Sequence, residues 1–175
     1  MIFDGIVIGG GPAGMMASIV AAQQGCKVLL LEKNERLGKK LLITGKGRCN
    51  VTNACSAQDV LQNTPRNGRF LYSAMENYPP DKVMEFFESH GCKLKVERGN
   101  RVFPITDKSS SVLECLRNVM HRSGVQVRTA SVVDLIVEDG TVTGVRTKEG
   151  TIPAKWVILA TGGMSYPSTG STGDG

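Results

Sequence analysis

The sequence predicts an α/β fold in which a parallel sheet with helices on both faces carries an inserted antiparallel β-meander. Three observations predict it. A mostly apolar run at residues 2–8, interrupted by Asp4, meets Gly9-Gly10-Gly11-Pro12-Ala13-Gly14 and then a helix-forming stretch. A second run, residues 26–31, follows at once and is continuously apolar from Val28 to Leu31; such character marks a strand buried on both faces of a parallel sheet. Beyond residue 125 the pattern changes to successive strands with Gly-containing turns.

The elements follow in order. Residues 13–24 read as a helix stopped by Gly25. Residues 34–53 are rich in Gly and Lys and read mostly as loop. Ser56-Ala57-Gln58-Asp59 resembles a capping box, with Asp in place of Glu or Gln. Pro79-Pro80-Asp81 opens a helix through His90. Residues 92–96 and 101–103 read as short paired strands around Gly99-Asn100. Residues 109–122 form an amphipathic helix whose Val112, Leu113, Leu116, Val119 and Met120 make one core stripe. Residues 125–128, 132–138 and 142–147 read as the three-strand inserted piece. Residues 156–160 form a last buried strand running into Thr161-Gly162-Gly163. The chain then stops in a loop, with no closing helix or strand, and so reads as the N-terminal portion of a longer protein.

Composition narrows the function classes. The 175 residues carry a net charge of +5, with the basic residues spread out apart from a cluster at Lys33, Arg36, Lys39, Lys40, Lys46 and Arg48. That distribution fits a solvated surface with a few phosphate contacts better than a nucleic-acid interface. The five cysteines lack CxxC spacing, so no metal site is expected, and they suit a reducing, cytoplasmic compartment. Residues 5–22 carry no charge, but Gly9, Gly10, Gly11, Pro12 and Gly14 interrupt them, and no membrane association is expected.

Gly9-x-Gly11-x-x-Gly14 is the strongest motif. Gly9 permits the tight turn, Gly11 lets a pyrophosphate approach the backbone, and Gly14 lets the helix pack close to the strand. The helix N-terminus presents free N–H groups and a positive dipole end to phosphate. Glu32 ends the second strand, where an acid accepts hydrogen bonds from ribose hydroxyls and repels a 2′-phosphate. The segment Gly38 to Gly47 is not a Walker A loop, because Gly47 follows Lys46 where Mg²⁺ chemistry needs a hydroxyl. Together these features give a Rossmann-like domain. The inserted strands before Ala160-Thr161-Gly162-Gly163 favour FAD over NAD.

These motifs carry a resemblance. Gly9 to Gly14 with Glu32, then Gly38-Lys39-Lys40-Leu41-Leu42-Ile43-Thr44-Gly45-Lys46-Gly47-Arg48-Cys49-Asn50-Val51-Thr52-Asn53, then Ala160-Thr161-Gly162-Gly163-Met164-Ser165-Tyr166-Pro167, resemble the bacterial NAD(P)/FAD-dependent oxidoreductases that include aminoacetone oxidase and a proposed bile-acid flavoprotein reductase. The resemblance covers essentially the whole chain and implies a flavoprotein oxidoreductase with FAD bound in extended form. Members of that family add a substrate domain and a returning C-terminal segment, both absent from residues 1–175. Carried over residue by residue, it implies that Pro12 and Ala13 line the pyrophosphate with the glycines. Glu32 and Lys33 would meet the adenosine ribose, and Gly38, Lys39 and Lys40 the phosphates. Gly45, Arg48 and Asn50 would border the cofactor, Val133 would offer its backbone to adenine, and Thr161 and Gly162 would pass close by. The catalytic residues stay unassigned. A small-molecule substrate is expected, with NAD(P)H or oxygen as redox partner; a tRNA-modifying flavoprotein and a non-catalytic nucleotide-binding module are the alternatives. Oligomeric state is open. Cys49, His90 and His121 are weighed more readily as structural residues than as catalysts, while for Tyr166 an approach to the flavin side and loop packing weigh equally.

Overall fold

The computed structural model describes residues 3–165, 167–169 and 172–175; Tyr166, weighed above, lies outside them. In chain order the elements are β1 (Phe3–Ile8), α1 (Pro12–Gln23), β2 (Val28–Glu32), β3 (Thr52–Asn53), α2 (Ala57–Gln62), α3 (Tyr72–Asn77), α4 (Pro80–Ser89), β4 (Leu94–Glu97), β5 (Arg101–Pro104), α5 (Ser109–Arg122), β6 (Gln126–Thr129), β7 (Val132–Glu138), β8 (Thr141–Thr147) and β9 (Gly150–Leu159). They form two compact units, residues 1–41 with 116–175, and residues 42–115.

The first unit is a Rossmann-like α/β layer. Its six-stranded sheet has the order β6-β2-β1-β9-β8-β7. β1 pairs in parallel with β2 and with β9, and β2 in parallel with β6. β8 runs antiparallel to β7 and to β9. The apolar runs of β1 and β2 are buried, as their sequences require, and Met15 and Ile19 of α1 are buried with them. Ser18 is the polar residue in that helix core, and its hydroxyl donates to the Gly14 carbonyl at 2.8 Å, so no polar group is orphaned there.

One core cluster joins Ile6, Ile8, Leu29 and Leu31 to Val145 and Ala154, with Ala130, Val132, Leu135, Ile152 and Val157 packed against it. Among the described residues it contains no helical side chain. Where the sequence led us to expect a helix on each face, strands of the meander close this one. Their alternating residues supply the apolar cover that a helix would otherwise give.

Two strand expectations change. Residues 126–129 do not open the meander; they form β6, the parallel edge strand beside β2. All four are exposed, so their alternation carried no burial signal that could separate an edge strand from a hairpin. The final strand begins at Gly150, earlier than the apolar run suggested. Pro153 and Lys155 interrupt its hydrophobic pattern, yet its first half pairs with β8 and its second half with β1. At Gly5, opposite Trp156 in the β1–β9 register, any Cβ would overlap the indole ring.

The second unit holds a three-stranded antiparallel sheet of order β3-β5-β4 with α2, α3 and α4. The Ser56–Asp59 capping box forms: Ser56 Oγ accepts the Asp59 N–H at 3.1 Å, and Asp59 Oδ2 accepts the Ser56 N–H at 3.1 Å. Phe87, Cys92, Val102, Phe103, Val112 and Cys115 are buried in this unit. Among the described residues, no helix is long and apolar enough to cross a membrane.

This packing predicts a contrast. Leu30→Ala, at a fully buried site, lowers unfolding stability by about 2–5 kcal/mol. Val127→Ala, on the exposed edge strand, changes it by less than about 0.5 kcal/mol. Urea denaturation followed by circular dichroism measures both.

Candidate nucleotide-binding site

The strand order reverses beside β1, with β2 and β6 on one side and β9 on the other. In open α/β sheets a crevice forms at such a switch, outside the carboxyl ends of the strands. Here that crevice is a cleft of about 610 Å³ within the first unit. Its walls come from the ends of β1 and β2 (Ile8, Gly9, Leu31, Glu32, Lys33), from residues 130–135, and from Leu159, Thr161, Asp174 and Gly175. The size suits one nucleoside and not a macromolecule.

The three motif glycines differ in what surrounds them. Gly9 has φ +111°, and a Cβ there would overlap the Ala160 carbonyl. A Cβ at Gly14 would overlap the Gly9 carbonyl, so helix and turn touch there. A Cβ at Gly11 would meet nothing within 4 Å, and its φ of −77° is open to any residue. Gly11 therefore leaves space on the side where a ligand can approach. Gly11 is also the N-cap of α1, without a capping side chain, and Pro12 stands at the start of the helix with no acid in the first turn. No acid of α1 itself offsets the positive helix end, and Pro12 and Ala13 are exposed beside it.

Gly10, a variable position of the motif, proves to be the centre of the turn. Its N–H donates to Glu32 Oε2 at 2.6 Å, and its carbonyl accepts the Gly38 N–H at 2.8 Å. A side chain there would collide with Leu37. Glu32 Oε1 accepts from the Asn34 N–H at 2.8 Å and from Asn34 Nδ2 at 2.5 Å. Sequence reasoning passed over both Gly10 and Asn34. The third consecutive glycine was the available signal for the first, and an amide two residues after the strand-end acid for the second.

Lys33 Nζ is paired with Asp174 Oδ2 at 2.5 Å and also bonds to Thr172 Oγ1. The Lys33 ammonium, with help from Thr172, holds the Asp174 carboxyl below its ordinary range. Lys40 Nζ reaches the Ser165 carbonyl at 3.5 Å, while Lys39 is exposed. Val133 lines the cleft at a shift in the β7–β8 register, between the pairs Val132–Thr147 and Asp134–Arg146. It therefore has no ladder partner on β8, and β7 is the outermost strand. Thr161 lines the same cleft, and exposed Gly162 follows at φ +82°.

Gly45, Arg48 and Asn50 belong to the second unit. A Cβ on Gly45, at φ +54°, would lie 2.9 Å from the Asn50 nitrogen and 3.1 Å from the Phe103 ring. Arg48 is committed locally. It bonds Glu97 through both terminal nitrogens at 2.9 and 3.2 Å, bonds Asp107 at 3.0 Å, and stacks 4.0 Å from the Phe103 ring centroid. Lys95 joins the same two acids. Cys49 is buried, and burial pushes its thiol up, away from nucleophilic thiolate chemistry. His90 Nδ1 lies 2.7 Å from the Phe86 carbonyl at the end of α4, a packing role.

The class these features define is a nucleotide-binding domain of the Rossmann type. More particularly, residues 3–175 match the HI0933-like protein Rossmann domain, and the chain belongs to that family. It is 36% identical over 171 residues to a 3-dehydro-bile acid delta(4,6)-reductase of Clostridium scindens, covering 97% of this chain and 41% of that protein. It is 29% identical over 170 residues to a ribosomal RNA dihydrouridine synthase of Escherichia coli, covering 97% of this chain and 42% of that protein. The chain thus spans about two-fifths of the length of these relatives. The open conformation of a flavocytochrome c3 fumarate reductase superposes with TM-score 0.71 at 26% identity, over 93% of this chain and 34% of the other.

Two predictions follow from the geometry. Gly14→Ala lowers the unfolding midpoint by several degrees, whereas Gly11→Ala, entering open space, leaves it within about two degrees; thermal denaturation separates them. Hydrogen bonds from Arg48 and Lys95 depress Glu97 and Asp107 below their ordinary values. A depressed acid stabilises the fold above its unfolded pKa of about 4 and loses that contribution as pH falls. Glu97→Gln therefore flattens the acid limb of stability measured below about pH 5.

Proposed function

We propose that this chain is the FAD-binding part of a flavin-dependent oxidoreductase acting on a small organic molecule, with NAD(P)H or oxygen as redox partner. The observation that carries the proposal is the division of the site into two chemically distinct ends. The uncapped N-terminus of α1 and the open space at Gly11 suit a pyrophosphate. The adjoining cleft carries Glu32, Asp134 and Asp174, with the Lys33 charge committed to Asp174. Glu32 and Asp134 accept from hydroxyls and amines and repel phosphate. The arrangement therefore fits the adenosine half of FAD, with adenine against the Val133 backbone at the register shift in β7. An NADP 2′-phosphate would face these acids.

In this reading, Gly9, Gly11, Pro12, Ala13 and Gly14 hold the pyrophosphate, and Gly38 braces the turn through Gly10. Glu32 receives the ribose, while Thr161 and Gly162 border the path toward the flavin. When bound, FAD supplies the hydride and electron transfer, and the protein supplies position and electrostatics. A relative that is a bile-acid reductase supports a small organic substrate. The test is reconstitution of the chain with FAD, followed by its visible spectrum after gel filtration. The expected result is a yellow protein that Gly11→Ala weakens at least tenfold in calorimetric titration. A folded, colourless wild-type chain giving no heat with FAD would contradict the proposal.

A second reading is an RNA-modifying flavoprotein. A relative that is a ribosomal RNA dihydrouridine synthase supports it, as does a surface patch of the second unit. There Phe70 is 87% exposed and Tyr72 62% exposed, with Arg66 and Arg69 close in sequence. Neither arginine has an ion pair among the described residues. Exposed rings beside cations suit stacking with single-stranded bases. Fluorescence anisotropy with single-stranded RNA should then show a log–log salt slope that falls by about one for each arginine replaced by alanine. No affinity at low salt would remove this reading.

A further inference from the structure

We infer that Asn34 is a positioning residue: it clamps the Glu32 carboxylate, so that one carboxylate ties the ribose-facing strand end to the phosphate-facing turn. The inference deepens the proposed FAD reading and rests on it for the identity of the ligand. An ionised carboxylate offers about four acceptor positions. On Glu32, Oε1 takes both donors of Asn34, from the backbone at 2.8 Å and the side-chain amide at 2.5 Å. Oε2 takes the Gly10 N–H at 2.6 Å. With Oε1 filled by Asn34, Oε2 is directed to the turn, where one acceptor position remains for a ligand hydroxyl. Gly10 in turn receives the Gly38 N–H on its carbonyl at 2.8 Å.

The neighbouring side chain cannot substitute. Lys33 could donate to Glu32, but its ammonium is tied to Asp174 and Thr172. Without the Asn34 amide, Glu32 Oε1 keeps only the backbone donor. The carboxylate is then held less firmly at Oε1, so the Oε2 acceptor position left for a ligand hydroxyl is less well fixed. Asn34 does not line the cleft, so it acts through Glu32 and not on the ligand.

The test uses the intact chain and calorimetric titration with ADP, the shared half of FAD, across pH 5 to 8. Asn34→Ala should weaken ADP about tenfold, the scale of one lost hydrogen bond to a charged group. Its unfolding midpoint without ligand should stay near that of wild type. Asn34→Asp supplies the readout that a merely structural role would not move. Ionised, it repels Glu32 and cannot donate; protonated, it donates as the amide did. Its ADP affinity relative to wild type should therefore recover as pH falls toward 5. Wild-type affinity in Asn34→Ala, or a flat Asn34→Asp ratio across pH, overturns the inference while leaving the FAD reading intact. A folded wild-type chain that binds neither ADP nor FAD overturns both. If Asn34→Ala fails to fold, the pH ratio of Asn34→Asp decides alone.

Discussion

The structure of the candidate site depends on the hydrogen bond from the Gly10 N–H to the Glu32 carboxylate. Turn and strand end are far apart in sequence, and this bond makes them one surface. The turn also presses on Ala160 through Gly9 and on α1 through Gly14, so it has little freedom to move. Glycine is needed at these positions because backbone, not side chain, fills the space. Gly11 is the exception that gives the arrangement its use, since its missing side chain leaves a vacant approach instead of a packed contact.

Electrostatics then divide the labour between the two ends of the site. The free N–H groups and positive end of α1, with no acid in the helix's own first turn, favour an anion at the turn. Carboxylates in the cleft favour a neutral, donor-rich group a few ångströms away. A nucleotide has that polarity, with phosphates at one end and hydroxyls and an amine at the other. The basic cluster noted in the sequence plays a smaller part than its charge suggests. Lys33 neutralises Asp174, and Arg48 is consumed by Glu97 and Asp107. Charges that look available in a sequence are often already partnered in the fold, and exposed pairs of this kind add little stability.

Much of the fold was legible in the sequence because burial on both faces leaves an unbroken apolar run. β1 and β2 follow from that rule, α1 from its place between the glycine turn and Gly25, and the Ser109–Arg122 helix from its single apolar stripe. The capping box at Ser56 also formed as its residues require. What escaped was information carried by pairing instead of burial. β6 is exposed along its length, and β9 is broken by Pro153, so neither announces its partners. The division into two units escaped for a related reason: the chain enters the second unit through a Gly and Lys-rich loop and leaves it within a continuous helix, α5. The site followed the same pattern. Motif positions with steric jobs, such as Gly9 and Gly14, were readable. Gly10 and Asn34 were not, because their roles appear only when the turn folds back on Glu32.

The central claim is that a nucleotide seats with its phosphates on the α1 N-terminus and its nucleoside in the cleft beside Glu32 and Val133. The most direct measurement is residue-specific amide chemical-shift mapping on addition of ADP. The account predicts shifts at Gly9 to Met15, at Glu32 to Asn34 and at Ser131 to Leu135. Binding whose shifts fall in the second unit, or that spares the Gly11–Ala13 amides, would contradict it.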